Sequence, residues 1–124
     1  MQVKIFDSEL KIMEVLWERG VLTAGQLAVI LKEQTGWNRN TTYTVIGKLV
    51  DKGAVERFGT NFSCKALVTK EQVRQFETTE LINKHFGGST ELFLTEFIGG
   101  KLRPQDEIDR LKKLVEKIKE KWQI

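Results

Sequence analysis

Between Asn38 and Lys52 the chain reads "NRNTTYTVIGKLVDK", and the residue types along it suit contact with a polyanion better than catalysis. At about 100° per residue, a helix here gathers Thr42, Val45, Ile46 and Leu49 on one side, an apolar stripe able to dock on other helices. The opposite side presents Asn40, Tyr43, Thr44, Gly47 and Lys48, with Thr41 at its margin. Thr, Tyr and Gly each cost from a few tenths to about 1 kcal/mol in helix propensity, so a merely solvated face would gain from Ala, Glu and Lys instead. In a major groove these types have uses: the Thr methyl and hydroxyl meet a thymine methyl or a phosphate, Asn reads adenine, and Gly lets the backbone come close.

Charge location agrees with this reading. The chain carries 20 Lys and Arg against 17 Asp and Glu, a net charge of only +3. From Trp37 to Thr69, Arg39, Lys48, Lys52, Arg57 and Lys65 stand against Asp51 and Glu56, a local excess of three. Cations at the ends of a recognition helix and on an adjoining hairpin are placed to meet phosphates.

The elements that must hold this face can be read on either side of it. Asp7 or Ser8 can cap a first helix to about Arg19, with Leu10, Met13 and Trp17 as its stripe, Leu16 beside it and Gly20 as its stop. "TAGQ" at Thr23 to Gln26 is a capping-box pattern opening a second helix with Leu27, Ile30 and Leu31 on one face, ending near Gly36. Asn38 or Asn40 can cap the third, which Lys52-Gly53 closes. "AVERF" and "FSCKALV" then read as two extended runs about a "GTN" turn. Three helices followed by a hairpin form the plan of a winged helix-turn-helix, assigned to residues 1–69, with the wing at 55–68. The fold class expected is mainly α with this small β-hairpin.

Residues 70–124 read as a three-helix region. "TKEQ" at Thr69 to Gln72 is a second capping box, Gly87-Gly88 and Gly99-Gly100 are breaks, and the last helix starts with Pro104 at its first position and acids in its first turn. Ile108, Leu111, Val115, Ile118 and Trp122 step by three and four along it, the seam of a coiled-coil-like contact. With Phe76, Leu81, Phe86, Leu92, Phe93 and Phe97, this tail of about 55 residues offers more apolar surface than so small a unit can bury alone, which points to a homodimer.

These residues resemble the penicillinase-repressor (BlaI/MecI/CopY) family of small winged-helix transcriptional repressors. The carriers are "SELKIMEVLW", "TAGQLAVIL", "NRNTTYTVIGKLVDKGAVERF" and the "GG" before two terminal helices, in an order and spacing that span nearly the whole chain. The resemblance implies a dimer with interlocked C-terminal helices, each N-terminal domain placing its third helix in half of a palindromic operator. It carries Thr41, Tyr43, Thr44 and Lys48 over as groove or phosphate contacts, and Arg39, Arg57 and Asn61 as backbone contacts. It also implies repression. The copper-responsive branch uses C-terminal Cys-x-Cys motifs, and the end "KEKWQI" has none, so copper or zinc sensing by that route is not expected. The antibiotic-responsive branch is cut by a regulatory protease at an Asn-Phe bond; the corresponding pair here, the candidate proteolytic switch, is Glu96-Phe97, which departs from that pattern in having Glu where it places Asn.

Other classes fare worse. With one Cys and one His, and no phosphate loop or nucleophile elbow, neither metal nor nucleophilic catalysis is expected, and no cofactor. Cys64 reads as a small buried side chain and His85 as a helix-end residue. The start "MQVKIFDSELK" lacks a signal-peptide core, and no apolar run approaches the roughly 20 residues of a membrane span, so a cytoplasmic protein is expected. The competing class is a winged protein-interaction module without a physiological DNA partner.

Overall fold

The computed structural model describes residues 3–100 and 103–123. Its elements run α1 (Asp7–Arg19), β1 (Leu22–Thr23), α2 (Ala24–Thr35), α3 (Arg39–Asp51), β2 (Val55–Phe58), β3 (Ser63–Ala66), α4 (Lys70–His85), α5 (Thr90–Gly99) and α6 (Gln105–Trp122). Two compact units are present, Met1–Leu81 and Ile82–Ile124, and the division falls within α4.

In the first unit α1, α2 and α3 pack on one another around Ile12, Met13, Leu16, Leu27, Leu31, Ile46 and Leu49, all buried. The stripe of α1 is rotated from the one expected: Ile12, Met13, Val15 and Leu16 are inside, while Leu10 and Trp17 lie partly buried at the edge. Trp17 holds that edge by donating its indole N–H to the Val68 carbonyl at 2.9 Å. On α3 the docking stripe is the one the period gives, Thr42, Val45, Ile46 and Leu49.

Local chemistry sets the helix ends. Thr23 accepts from the Gln26 amide at 3.1 Å while Gln26 accepts from that of Thr23 at 2.9 Å, a complete capping box. Thr69 and Gln72 repeat it at the start of α4. Asn38, not Asn40, caps α3, accepting from the Thr41 amide at 2.8 Å. The cap of α1 differs from the expected Asp7 or Ser8: the flanking residue is Phe6, and Glu9 reaches back to accept its amide at 2.8 Å. Phenylalanine has no acceptor to return the bond, so only half a box forms. Pro104 stands one position before α6, at the cap, with φ −57°.

The hairpin belongs to a three-stranded antiparallel sheet of order β1-β3-β2. Leu22 faces Cys64 and Thr23 faces Ser63, a strand too short to announce itself by alternation. Across β2 and β3, Arg57 faces Cys64 and Phe58 faces Ser63. Phe62, expected to begin the second run, sits instead in the turn, at φ 53°.

In the second unit Phe86 meets Phe93 edge-on at 5.3 Å, and Phe93 stacks on Phe97 at 5.5 Å. Arg103 donates to the Phe97 and Ile98 carbonyls and to Glu107. Neither α5 nor α6 contains a buried residue.

Candidate nucleic-acid interface

The outward side of α3 is open. Arg39, Asn40, Thr41, Tyr43, Thr44 and Lys48 are all exposed, and Gly47 among them is half-exposed. Tyr43, Thr44 and Lys48, expected on the outward side, are not packed inside this chain. Gly47 has nothing within 4 Å of where a Cβ would stand, so the helix surface there is flat and another backbone could approach it.

Arg39 occupies the first turn of α3 and lies 5.7 Å from the centroid of the Tyr43 ring. Its guanidinium also rests against the start of α2, 3.4 Å from where a Cβ on Gly25 would be. On the wing, Arg57 stands 5.3 Å from the centroid of the Phe62 ring. Asn61 accepts from the Ser63 hydroxyl at 3.0 Å, which leaves its NH2 as the side of the amide suited to a phosphate oxygen. Between α3 and the wing runs a cleft of about 440 Å³ lined by Tyr43, Ile46, Arg57, Asn61, Phe62 and the Thr23–Gly25 segment. The predicted residues Tyr43, Arg57 and Asn61 are thus brought around one groove, with Arg39 at its α2 side; Thr44 and Lys48 lie further along the face of α3.

Two residues alter the expected picture. Lys52, counted among the cations of this segment, has its ammonium 2.7 Å from a Glu9 carboxylate oxygen and is not offered outward. Phe62 was not anticipated as part of the interface; it is 57% exposed at the wing tip, in a left-handed conformation uncommon for a bulky residue. Its carbonyl accepts from the Ala24 amide at 2.9 Å, tying the wing to the start of α2. The signal available in sequence was the "GTN" turn, read one residue too short.

The electrostatics of the helix starts are uneven. α1, α4, α5 and α6 each have an acid in the first turn, complementing the positive end of the helix dipole. α2 and α3 have none, and Arg39 adds a cation beside both. Such an end is a place where an anion is stabilised by dipole and guanidinium together.

Cys64 is buried, as expected, and burial pushes its thiol up from the ordinary range against an opposing pull from Arg57 across the strand pair. Arg57, unlike the sequence neighbour Lys65, is the cation that acts on it. Among the described residues no group of three His, Cys, Asp or Glu could hold a metal ion, and no helix is long and apolar enough to cross a membrane. Glu96 and Phe97 are exposed on α5. Of the expected dimer residues, Phe76 falls in the first unit and is half-buried; Ile108, Leu111 and Ile118 are half-buried on α6, and Val115 and Trp122 are exposed.

Comparison with known proteins gives the same outline. The chain is 25% identical over 116 residues to the methicillin resistance regulatory protein MecI of Staphylococcus aureus strain N315, covering 92% of this chain and 94% of that one. It is 21% identical over 118 residues to the penicillinase repressor of Bacillus licheniformis, covering 94% and 92%. The solution structure of the DNA binding domain of the repressor BlaI superposes with a TM-score of 0.53 at 22% identity, over 58% of this chain and 90% of that one, and so shares the winged fold. Residues 5–117 match the family described as penicillinase repressor, and on that span the chain belongs to the penicillinase repressor family of transcriptional regulators, which are not enzymes.

Proposed function

We propose that this chain is a transcriptional repressor that binds a palindromic operator as a homodimer, each copy setting α3 in the major groove and its wing against the backbone. The observation that carries the DNA reading is the coincidence of the exposed, low-propensity face of α3 with acid-free starts of α2 and α3 joined by Arg39. In this arrangement Asn40, Thr41, Tyr43, Thr44 and Lys48 meet the groove, and Arg39, Arg57 and Asn61 meet phosphates.

The dimer rests on α6. Its apolar side, with Ile98 of α5, lines a groove of about 560 Å³ through Ile108, Leu111 and Val115, and Trp122 is 77% exposed. An amphipathic helix with nothing buried gains from a second copy laid along the same seam. Half-sites read by such a dimer would lie about 34–36 Å, one turn of duplex, or a multiple of it apart.

Affinity for duplex should fall steeply as salt rises, because phosphate contacts release counterions. Replacing Arg39 or Lys48 by Ala should lower that slope by about one, and replacing Thr44 should change preference at one base pair by about 1–3 kcal/mol. Binding indifferent to salt and to all three substitutions would leave an interaction module in place of a repressor. Light scattering at micromolar concentration should show a dimer.

Relief of repression by cleavage between Glu96 and Phe97 would require the end of α5 to unwind, since that bond lies within the helix and the Glu96 carbonyl accepts from Gly100. A chain that stays full length in cells while repression is lifted would remove cleavage from the account.

A further inference from the structure

The C-terminal end of α3 is held by a polar cluster that the groove contacts do not use. Glu9, in the first turn of α1, is 2% exposed. One oxygen of its carboxylate, Oε1, accepts from the Phe6 amide at 2.8 Å and from the Lys52 ammonium at 2.7 Å. The same ammonium donates to the Lys4 carbonyl at 2.9 Å and stands 4.8 Å from the centroid of the Phe6 ring. Lys52 is itself the capping residue of α3, its amide bonded to the Lys48 carbonyl at 3.1 Å. Lys48, one turn earlier, is on the exposed face.

We infer that Glu9 and Lys52 are positioning residues for operator discrimination, fixing the roll and tilt of α3 against α1 without touching the duplex; this rests on the DNA reading above. The rest of the seat of α3 is Val45, Ile46, Leu49 and the methyl of Thr42, and aliphatic packing is non-directional. A short charge-assisted hydrogen bond is directional and specifies one arrangement. A buried ion pair adds little net stability over a well-packed apolar pair, so stability alone gives scant reason for a carboxylate here. Base-edge hydrogen bonds lose strength steeply with distance and angle, so a helix free to roll would lose discrimination between sequences before it lost attraction to phosphate.

The test uses the full-length chain and a duplex selected by the wild type from random sequences. Affinity for that duplex and for a scrambled one is measured over a range of salt for wild type, Glu9→Gln, Lys52→Met, the double variant and Lys52→Arg. Each single change should lower the selected-to-scrambled ratio about tenfold, with the double no worse than either single and Lys52→Arg recovering part of the ratio. Salt slopes should stay at the wild-type value. Lys52→Met leaves a buried carboxylate without its cation; if it fails to fold, the charge-free double variant carries the measurement. A salt slope lowered by about one in Lys52→Met, with Glu9→Gln silent, would make Lys52 a phosphate contact and overturn the inference. An unchanged ratio accompanied only by a lower melting temperature would reduce the pair to a structural clasp. Wild type that binds no duplex in a salt-dependent way would sink the DNA reading itself, and this inference with it.

Discussion

The two units of this chain differ in how they treat their apolar residues. In Met1–Leu81 the helices and the small sheet close on one another, and large side chains such as Ile12, Leu27, Leu31 and Leu49 are wholly buried. In Ile82–Ile124 the described helices bury none of theirs, although α5 is largely apolar and α6 strongly amphipathic. The first unit has a core of its own and spends its exposed positions on unusual residue types. The second leaves the apolar stripe of its described helices uncovered, the stripe on which the proposed dimer rests. The outward face of α3 and the apolar stripe of α6 lie in different units, so each can be substituted separately.

The largest effect expected is on the closed core. Leu27→Ala or Leu49→Ala should cost about 2–5 kcal/mol in denaturant unfolding of the first unit, through lost transfer energy and a cavity. Leu111→Ala should leave that same transition where it is under dilution that keeps the chain monomeric. An equal loss from both would break the comparison.

Next comes pairing. Val115→Glu, on the α6 seam, should weaken self-association by about thirtyfold or more in sedimentation, at least about 2 kcal/mol as for a central interface position. Unfolding of the first unit should stay unchanged, and an undiminished dimer would move the interface off α6.

Smaller effects sharpen the account of α3. Asn38→Ala removes its cap and should cost about 1 kcal/mol by thermal unfolding. Thr42→Val goes the other way. The Thr42 hydroxyl is buried with no hydrogen-bond partner among the described residues, so an apolar group of the same shape should be neutral or stabilising by up to about 1 kcal/mol. A clear loss would reveal a partner, such as a bound water.

Smallest in energy, but sharp in readout, is Cys64. Burial and a raised thiol both disfavour the thiolate, so alkylation at neutral pH should wait for unfolding of the first unit. Rapid modification of the folded chain would show that the sheet opens locally.

The outward face of α3 could be read before folding because it lies on one helix. Once Asn38 to Lys52 is helical, a fixed angle per residue decides that Thr42, Val45, Ile46 and Leu49 face in and Tyr43, Thr44 and Lys48 face out. Capping boxes at Thr23 and Thr69 were legible for the same reason, donor and acceptor lying three residues apart. The comparison of the two units also followed in part from counting apolar residues against the length available to bury them.

What escaped involves partners distant along the chain. β1 is a strand only because β3 presents an edge to Leu22 and Thr23, and two residues have no period of their own. Phe6 displaced the capping candidates Asp7 and Ser8 because Glu9 turned back to its amide, and Glu9 is buried because Lys52, 43 residues later, arrives beside it. Lys52 looked like a phosphate contact in a count of charges, and tertiary packing turned it inward. The sequence by itself determined which side of each helix is apolar and where most helices stop, since those depend on neighbours within a turn or two. Only the tertiary structure decided how α3 is held, where the wing tip stands and which cations face outward, because directional contacts between distant residues exist only after the chain has brought them together.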